Sequence, residues 1–304
     1  MDNNKIMIVG TGNVGASIAF ALINQSTAVN EIILTDIIAK DADGEAMDLR
    51  DALAVAPSFV KIKSGTYKDA KDCDVVVITA GAAQKPGETR MELLAKNVNI
   101  LKGMIEQIMA SGFNGIFLVV TNPMDVLTYY TMKFSKLPAE RVIGSGTVLD
   151  SARLRTRIAD YLNVNPKSIH AHQIGEHGDT ELTLWSLADM GGQKITELLP
   201  SKVRKDISDF VRNEAYDIID KKGATYYGIA TCVVQILNCI LNDEMRVLPV
   251  SSYDYFSDTS FGFPSVVGRE GIVRRLDLKL SEKEGIELQK SINALKKAIK
   301  TVKY

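Results

Sequence analysis

Short runs of apolar, mostly β-branched residues alternate with amphipathic stretches through the first half of the chain. The runs are Ile6-Met7-Ile8-Val9, Ile32-Ile33-Leu34, Val75-Val76-Val77-Ile78, Ile116-Phe117-Leu118-Val119-Val120 and Val142-Ile143. A strand with no polar alternation is buried on both faces, which is the condition of a parallel sheet covered by helices. The stretches between them, such as 13–23 and 91–109, have helical length and spacing, so the repeating unit is strand, helix, strand with right-handed crossovers. This predicts an α/β fold built on a doubly wound parallel sheet over residues 1–145. From 146 to 304 the pattern turns mixed, with long helices and a hairpin through Gly268-Arg269-Glu270-Gly271, and predicts an α+β domain. The last helix opens on the capping box Ser281-Glu282-Lys283-Glu284 and repeats apolar residues at Leu288, Ile292, Leu295, Ile299 and Val302.

Composition narrows the partners. The 304 residues are 46% hydrophobic and 24% charged, with 36 basic against 37 acidic side chains. A balance so near zero leaves no broad electrostatic footprint for nucleic acid or an anionic membrane and favours a small-molecule ligand. The three cysteines, Cys73, Cys232 and Cys239, are odd in number, lie in apolar surroundings and lack metal-ligand spacing. They read as reduced core residues of a cytoplasmic protein, and no metal site is expected. No signal peptide is read at the amino terminus. The longest apolar stretch, 226–241, is broken by Thr231, Gln235 and Asn238, so no membrane span is expected either.

The first chemical motif is Gly10-Thr11-Gly12-Asn13-Val14-Gly15, directly after the first strand and before a helix. Glycines let the backbone turn tightly and approach a pyrophosphate, and the helix amino end offers free N–H groups. Asp36 closes the second strand 21 residues after Gly15. Its carboxylate is placed to accept from both hydroxyls of an adenosine ribose and to repel a 2′-phosphate, which points to NAD rather than NADP. A second motif, Thr121-Asn122-Pro123-Met124-Asp125, follows another apolar strand. Asn122 suits a helix cap and Pro123 the first helical turn, and the carboxyl end of a strand also places the Asn122 amide where ligands sit in such sheets.

All three histidines, His170, His172 and His177, fall within eight positions. Histidine is the side chain whose ordinary pKa lies nearest neutrality, so this crowding marks a proton carrier. Upstream, in the helical segment 148–155, Asp150 and Arg153 share a face, while Arg155 lies about 200° around the axis from Arg153. If 169–174 is extended, His170 and His177 tend to opposite faces, with Gly175 free to bend the run. Two separate polar sites are expected.

Taken together, these motifs identify the chain as resembling the bacterial L-lactate dehydrogenases of the lactate/malate dehydrogenase family over essentially its whole length. Gly81-Ala82-Ala83-Gln84-Lys85-Pro86-Gly87-Glu88-Thr89-Arg90, Gly175-Glu176-His177-Gly178-Asp179 and Gly223-Ala224-Thr225-Tyr226-Tyr227-Gly228 carry the resemblance with the motifs above. It implies a Rossmann-type sheet followed by a substrate domain, NAD as cofactor, and the cofactor positions Gly10, Gly12, Asn13, Val14, Gly15, Asp36, Gly81, Ala82 and Asn122. It implies further that His177 donates a proton to the substrate carbonyl, Asp150 supports its protonated form, Arg153 grips the carboxylate and Arg90 polarises the carbonyl from a closing loop. Gln84, Asn122 and Thr225 complete the implied substrate pocket.

Each role has a physical basis. Reducing a 2-oxo acid gathers negative charge on the carbonyl oxygen, which must be met by a donor and a proton. A neighbouring carboxylate raises a histidine pKa and fixes its tautomer, and an arginine meets a carboxylate as a two-pronged fork. Gln84 stands where the related malate dehydrogenases resemble an arginine. A second substrate carboxylate would be left unpaired there, so pyruvate is expected over oxaloacetate. Arg155 and His170 match positions resembling the fructose 1,6-bisphosphate effector site of allosteric members, repeated about a twofold, and a homotetramer is expected. Thr183 stands where the family usually has proline, and Ala83 where asparagine is common. These departures leave L-2-hydroxyisocaproate-type and malate dehydrogenases as rival enzymes. A non-catalytic NAD-binding protein is the reading of a different class.

Overall fold

The computed structural model describes residues 4–25, 28–82 and 90–302, the side chain of Arg90 excepted. Its central sheet is built from β1 (Lys5–Val9), β2 (Glu31–Thr35), β3 (Lys61–Ser64), β4 (Val75–Ile78), β5 (Ile116–Val119) and β6 (Val142–Gly144), all parallel. Each apolar run of the sequence became one of these strands; β3, a short exposed edge strand of alternating lysines, was the one the pattern did not announce. The spatial order runs β3-β2-β1-β4-β5-β6. The chain therefore moves outward from β1, then crosses back to lay β4 on the other side of it. The carboxyl ends of β1 and β4 flank the crevice where such sheets take their ligands.

Side-chain alternation along the strands divides the core in two. Ile6, Ile8, Ile32, Leu34, Val75 and Val77 face one side and pack against α1 (Asn13–Gln25), α2 (Ala39–Ala52) and a helix of the second half, α8 (Tyr227–Leu241). Met7, Val9, Ile33, Val76 and Ile78 face the other and pack against α3 (Arg90–Ala110), α4 (Met124–Ser135) and the final helix α9 (Glu282–Thr301). Each such side chain, fully withdrawn from water, contributes about 1.5–3 kcal/mol. The predicted capping box of α9 is present, with Ser281 and Glu284 bonded reciprocally.

The second half holds short strands β7 (Ile169–His170), β8 (Gln173–Ile174), β9 (Leu182–Thr183), β10 (Asp189–Met190) and β11 (Gln193–Lys194), then β12 (Arg246–Leu248), β13 (Ser251–Asp254), β14 (Thr259–Gly262), β15 (Ser265–Gly268) and β16 (Gly271–Arg275). Its remaining helices are α5 (Val148–Leu162), α6 (Ile195–Leu198) and α7 (Ser201–Lys222). The hairpin expected at 268–271 joins β15 to β16. One feature departs from the two-part pattern: β13 pairs antiparallel with β6 through Ser251 and Gly144, and β14 follows it. Among the described residues the sheet thus has eight strands, the last two supplied by the second half. A third cluster around Leu154, Ile158, Ile169, Ile195 and Val211 anchors α5 to α7 and the short strands.

Candidate active site

The glycine loop leaves β1 with both backbone polar groups of Gly10 fixed. The Gly10 N–H donates to the Thr35 carbonyl at 2.7 Å, and the Thr79 hydroxyl donates to the Gly10 carbonyl at 2.7 Å. Gly10 has a φ of +100°, open to glycine, and a Cβ on Gly15 would sit 1.8 Å from the Gly10 oxygen. A Cβ on Gly12 would meet nothing within 4 Å. The loop is therefore closed against the sheet at Gly10 and Gly15 and open outward at Gly12. There Asn13 and Val14 begin α1, which has no acidic residue in its first turn. An uncluttered helix amino end of this kind fits a pyrophosphate.

Asp36 does more than its spacing announced. Its Oδ2 accepts from the Thr11 N–H at 2.7 Å and the Thr11 hydroxyl at 3.2 Å, and its Oδ1 from the Ile38 N–H at 3.1 Å. Partial burial would raise this carboxyl, yet the bonds from Thr11 and Ile38 outweigh it and hold the group below its ordinary value. The carboxylate that can receive a ribose also ties the glycine loop to the end of β2. Across the crevice, Ala82 donates its N–H to Asn97 Oδ1 at 2.8 Å, while the Asn97 amide reaches the Asn122 carbonyl at 3.4 Å. Asn97, 3% exposed on α3, thus links Gly81–Ala82 to Asn122.

Of the two roles open to it, Asn122 does not take the cap of the following helix. Pro123 occupies the cap position, without a side-chain hydrogen bond, after a cis Asn122-Pro123 peptide, and α4 begins at Met124. Asn122 itself is exposed at the carboxyl end of the sheet.

At the far side of the crevice, α5 presents Asp150 and Arg153 on one face, as their spacing predicted. Arg153 Nη1 donates to Asp150 Oδ1 at 3.0 Å. Asp150 Oδ2 lies 2.6 Å from His177 Nδ1. The imidazole comes from the turn after β8, where Gly175, at φ +90°, bends the chain. Asp150 beside it, against the opposing effect of burial, pushes the His177 pKa up to about 9. Burial would raise the Asp150 carboxyl, but His177 and Arg153 together hold it below its ordinary value. With Nδ1 taken, Nε2 is the nitrogen free for a ligand, and the side chain is 26% exposed. This is a proton donor poised for use near neutral pH.

These observations fix the family. Residues 4–144 match the model of the lactate/malate dehydrogenase NAD binding domain, and residues 147–304 that of the lactate/malate dehydrogenase alpha/beta C-terminal domain. The chain belongs to the lactate/malate dehydrogenase family. It is 50% identical to L-lactate dehydrogenase 1 of Peribacillus psychrosaccharolyticus, over 97% of this chain and 96% of that one. It is also 50% identical to the L-lactate dehydrogenase of Bacillus velezensis, over 96% and 95%. Among solved structures it resembles the minor L-lactate dehydrogenase from Enterococcus mundtii in its ligands-bound form. There the TM-score is 0.97 at 43% identity, with 100% and 99% of the two chains covered. A lactate dehydrogenase from a Medee basin deep-sea metagenome library gives 0.98 at 45%, with both chains fully covered.

Within this family site the structure adds groups that motif spacing did not mark. Asp125, buried in the first turn of α4, accepts from the His177 backbone N–H at 2.7 Å and from the Ser251 hydroxyl at 2.6 Å. Burial pushes its pKa up to about 7, with the two hydrogen bonds opposing. An acidic residue opening an otherwise apolar helix was the signal available for it. Glu181 accepts from Gln173 Nε2 at 3.0 Å, and burial followed by the nearby Asp150 charge raises its pKa to about 8. Asp150, His177 and Glu181 each bring a ligating atom within 4.8 Å of the others. An imidazole held protonated is a poor metal ligand, so proton transfer is the chemistry that fits the trio. Ser291 of α9 accepts from the Glu176 N–H at 2.7 Å and steadies the turn from behind.

Arg153 is less free than its assignment suggested. Besides Asp150, its Nε lies 3.8 Å from Glu214 of α7, and its side chain is 8% exposed. No partner among the described residues engages Nη2. Thr225 lies half-buried between α7 and α8. Gln84 and the Arg90 side chain lie outside the described residues.

The second polar site is placed apart from the first. His170 is exposed on β7, its Nδ1 3.4 Å from Asp189 Oδ1. Arg155 is half-buried on the other side of α5, donating from Nε to the Ser151 carbonyl at 3.3 Å. No hydrogen bond or ion pair among the described residues joins them, but the charges of both act on His172. Burial first, then Arg155 and His170, push the His172 pKa down to about 4, and its Nδ1 has no partner. The three cysteines are buried and free, with burial pushing the Cys73 and Cys232 thiols up to about 12.

Proposed function

We infer that the chain is an NAD-dependent L-lactate dehydrogenase, reducing pyruvate to L-lactate. The single observation that carries this is the buried Asp150–His177 pair at the carboxyl end of a dinucleotide-binding sheet, in a chain half identical to named L-lactate dehydrogenases. Residues 1–145 bind the dinucleotide and 146–304 shape the substrate site. Bound NADH supplies the hydride to the carbonyl carbon.

The chain's own groups do the rest. Arg153 holds the pyruvate carboxylate through the nitrogen that Asp150 and Glu214 leave open, which orients the carbonyl toward the imidazole. Asp150 fixes Nδ1 in its protonated state, so Nε2 faces the carbonyl oxygen and gives up its proton as negative charge builds there. Once His177 is neutral, Asp150 is left as a buried carboxylate held by Arg153, and reprotonation from solvent resets the pair. In the reverse direction the neutral imidazole takes the hydroxyl proton. Arg90 meets the carbonyl oxygen, while Gln84, Asn122 and Thr225 line the pocket. Gly10, Gly12, Asn13, Val14, Gly15, Asp36, Gly81 and Ala82 hold the cofactor.

The enzyme serves fermentation and glycolysis in the cytoplasm as a homotetramer, with Arg155 and His170 binding fructose 1,6-bisphosphate between subunits. No helix among the described residues is long and apolar enough to cross a membrane. Support for assembly comes from Phe20, Met47, Val55, Phe59 and Tyr227, large apolar side chains left 55% or more exposed on and around α1, α2 and α8. Support for the effector comes from Arg155 and His170 sharing one neighbourhood at His172. Incubating the protein with pyruvate and NADH and resolving the product on a chiral column tests the central reading. L-lactate is expected, and D-lactate or no product would contradict it.

A further inference from the structure

Behind the histidine turn, away from the cofactor crevice, lies a second cleft of about 560 Å³. Its walls are the segment from Asp179 to Trp185, the first turns of α7 and the amino-terminal half of α9. Five cationic side chains line it: Arg204, Lys205 and Arg212 from α7, and Lys283 and Lys290 from α9.

The charge in this cleft is unbalanced. Arg212 is met by Asp209 at 3.3 Å and Lys283 by Glu287 at 3.9 Å, but no carboxylate of the described residues lies within ion-pair distance of Arg204, Lys205 or Lys290. The guanidinium of Arg204 lies over the Trp185 ring, 6.0 Å from its centre, and its buried Nε–H finds no acceptor, nor does that of Arg212. Structural cations that are partly buried normally find a carboxylate or carbonyl. Of the three carboxyls in the wall, Glu287 meets Lys283, Asp179 accepts from the Tyr216 hydroxyl at 3.1 Å, and Glu181 bonds Gln173 and offers Arg212 Nη2 its backbone oxygen at 3.4 Å.

The start of α7 points the same way. It has Pro200 at its cap position, no side-chain cap and no acid in its first turn, so its leading N–H groups and positive dipole end face the cleft beside Ser201. The neighbouring α9, by contrast, satisfies its own amino end with the Ser281–Glu284 box. Unpaired cations, an uncapped helix start and the Ser201 hydroxyl form a donor set for a compact, multiply charged phosphate group.

We propose that the cleft between α7, α9 and the 179–185 segment is a binding site for a diphosphate-class anion, distinct from the Arg155 and His170 neighbourhood and from the cofactor crevice. It adjoins the histidine turn in sequence, and its Arg212 grips the main chain at Glu181, whose side chain lies against Asp150 and His177.

Trp185 is the chain's single tryptophan and lines the cleft, its Nε1 donating to Ser208 at 3.2 Å, so its fluorescence reports on this site directly. The experiment titrates inorganic pyrophosphate into the full-length Arg155→Gln protein at constant ionic strength, with orthophosphate and fructose 1,6-bisphosphate as parallel arms. A saturable change in Trp185 emission with pyrophosphate is expected. Arg204→Gln, and separately the exposed Lys290→Gln, each in that background, should weaken it about tenfold or more. A saturable change with the sugar bisphosphate would place the phosphate on an organic carrier, and one with the inorganic ions alone would place it free in solution. No saturable change in any arm, or an affinity unchanged from the Arg155→Gln background in both cleft variants, would overturn the proposal. Basal pyruvate turnover in the same variants separates this result from the dehydrogenase reading.

Discussion

Asp150 Oδ2 lies 2.6 Å from His177 Nδ1, while Asp150 Oδ1 receives Arg153 Nη1 at 3.0 Å. One buried carboxylate thus fixes both the proposed proton carrier and the arginine proposed to anchor the substrate. Asp150→Asn keeps the shape and removes the charge that raises the imidazole pKa. Pyruvate reduction requires the protonated form, so in the parent kcat/KM should fall as pH rises through about 9, the value to which Asp150 pushes His177. In the variant that limb should move down toward the ordinary histidine value near 6.5, with kcat lowered about 10²–10⁴-fold. A pH profile with an unmoved limb would separate the limb from His177. For stability, a histidine raised in the folded state contributes fully below about 6.5 and loses that contribution as pH climbs through 9. Asp150, held low, contributes above its ordinary value and loses the contribution in acid.

Asp36 binds Thr11 twice, so its proposed role in cofactor choice is tied to loop shape. Asp36→Ser should raise KM for NADH about tenfold or more, narrow the discrimination against NADPH, and leave kcat at saturating cofactor much less changed. Steady-state kinetics with both cofactors reads this out. An unchanged KM for NADH would remove Asp36 from the site.

Asp125 holds the His177 backbone from below, and its raised pKa carries a signature. A buried carboxyl whose folded value lies near 7 destabilises the native chain progressively as pH rises from about 4 to 7, because the unfolded chain ionises more easily. Asp125→Asn should flatten that part of the stability-against-pH curve relative to the parent, read by urea midpoints at several pH values. It should also lower kcat about tenfold, without moving KM for NADH. A parallel curve in the variant would show that Asp125 stays ionised.

Arg155 and His170 carry the proposed effector site. Arg155→Gln should abolish activation by fructose 1,6-bisphosphate and weaken its promotion of assembly, while leaving basal turnover within about twofold. Light scattering and initial rates, each with and without the bisphosphate, give the comparison. Unchanged activation would move the effector elsewhere.

The fold was largely legible because its strands are buried on both faces. An uninterrupted run such as Val75–Ile78 admits no other placement in a sheet covered by helices. The antiparallel strands β13 and β14 escaped notice because Ser251, Ser252, Thr259 and Ser260 are polar residues that happen to be buried, and no periodicity marks them as sheet. Asp150, Arg153 and Asp36 could be placed because a helix face or a strand end fixes direction from spacing alone. Asn97 and Asp125 could not, since each acts through a neighbour distant in sequence that the folded chain brings to it. Of the two roles the type of Asn122 suits, the helix cap fell to Pro123.

Substrate choice is the most direct test of the whole account. NADH oxidation should be followed with pyruvate, oxaloacetate and 2-oxoisocaproate in parallel, for the parent chain and for Gln84→Arg. The parent should prefer pyruvate over oxaloacetate by roughly a hundredfold or more, because a second carboxylate beside a neutral amide is left unpaired in a closed site. The variant should shift toward oxaloacetate. Equal rates with both acids in the parent, or faster turnover of 2-oxoisocaproate than of pyruvate, would contradict it.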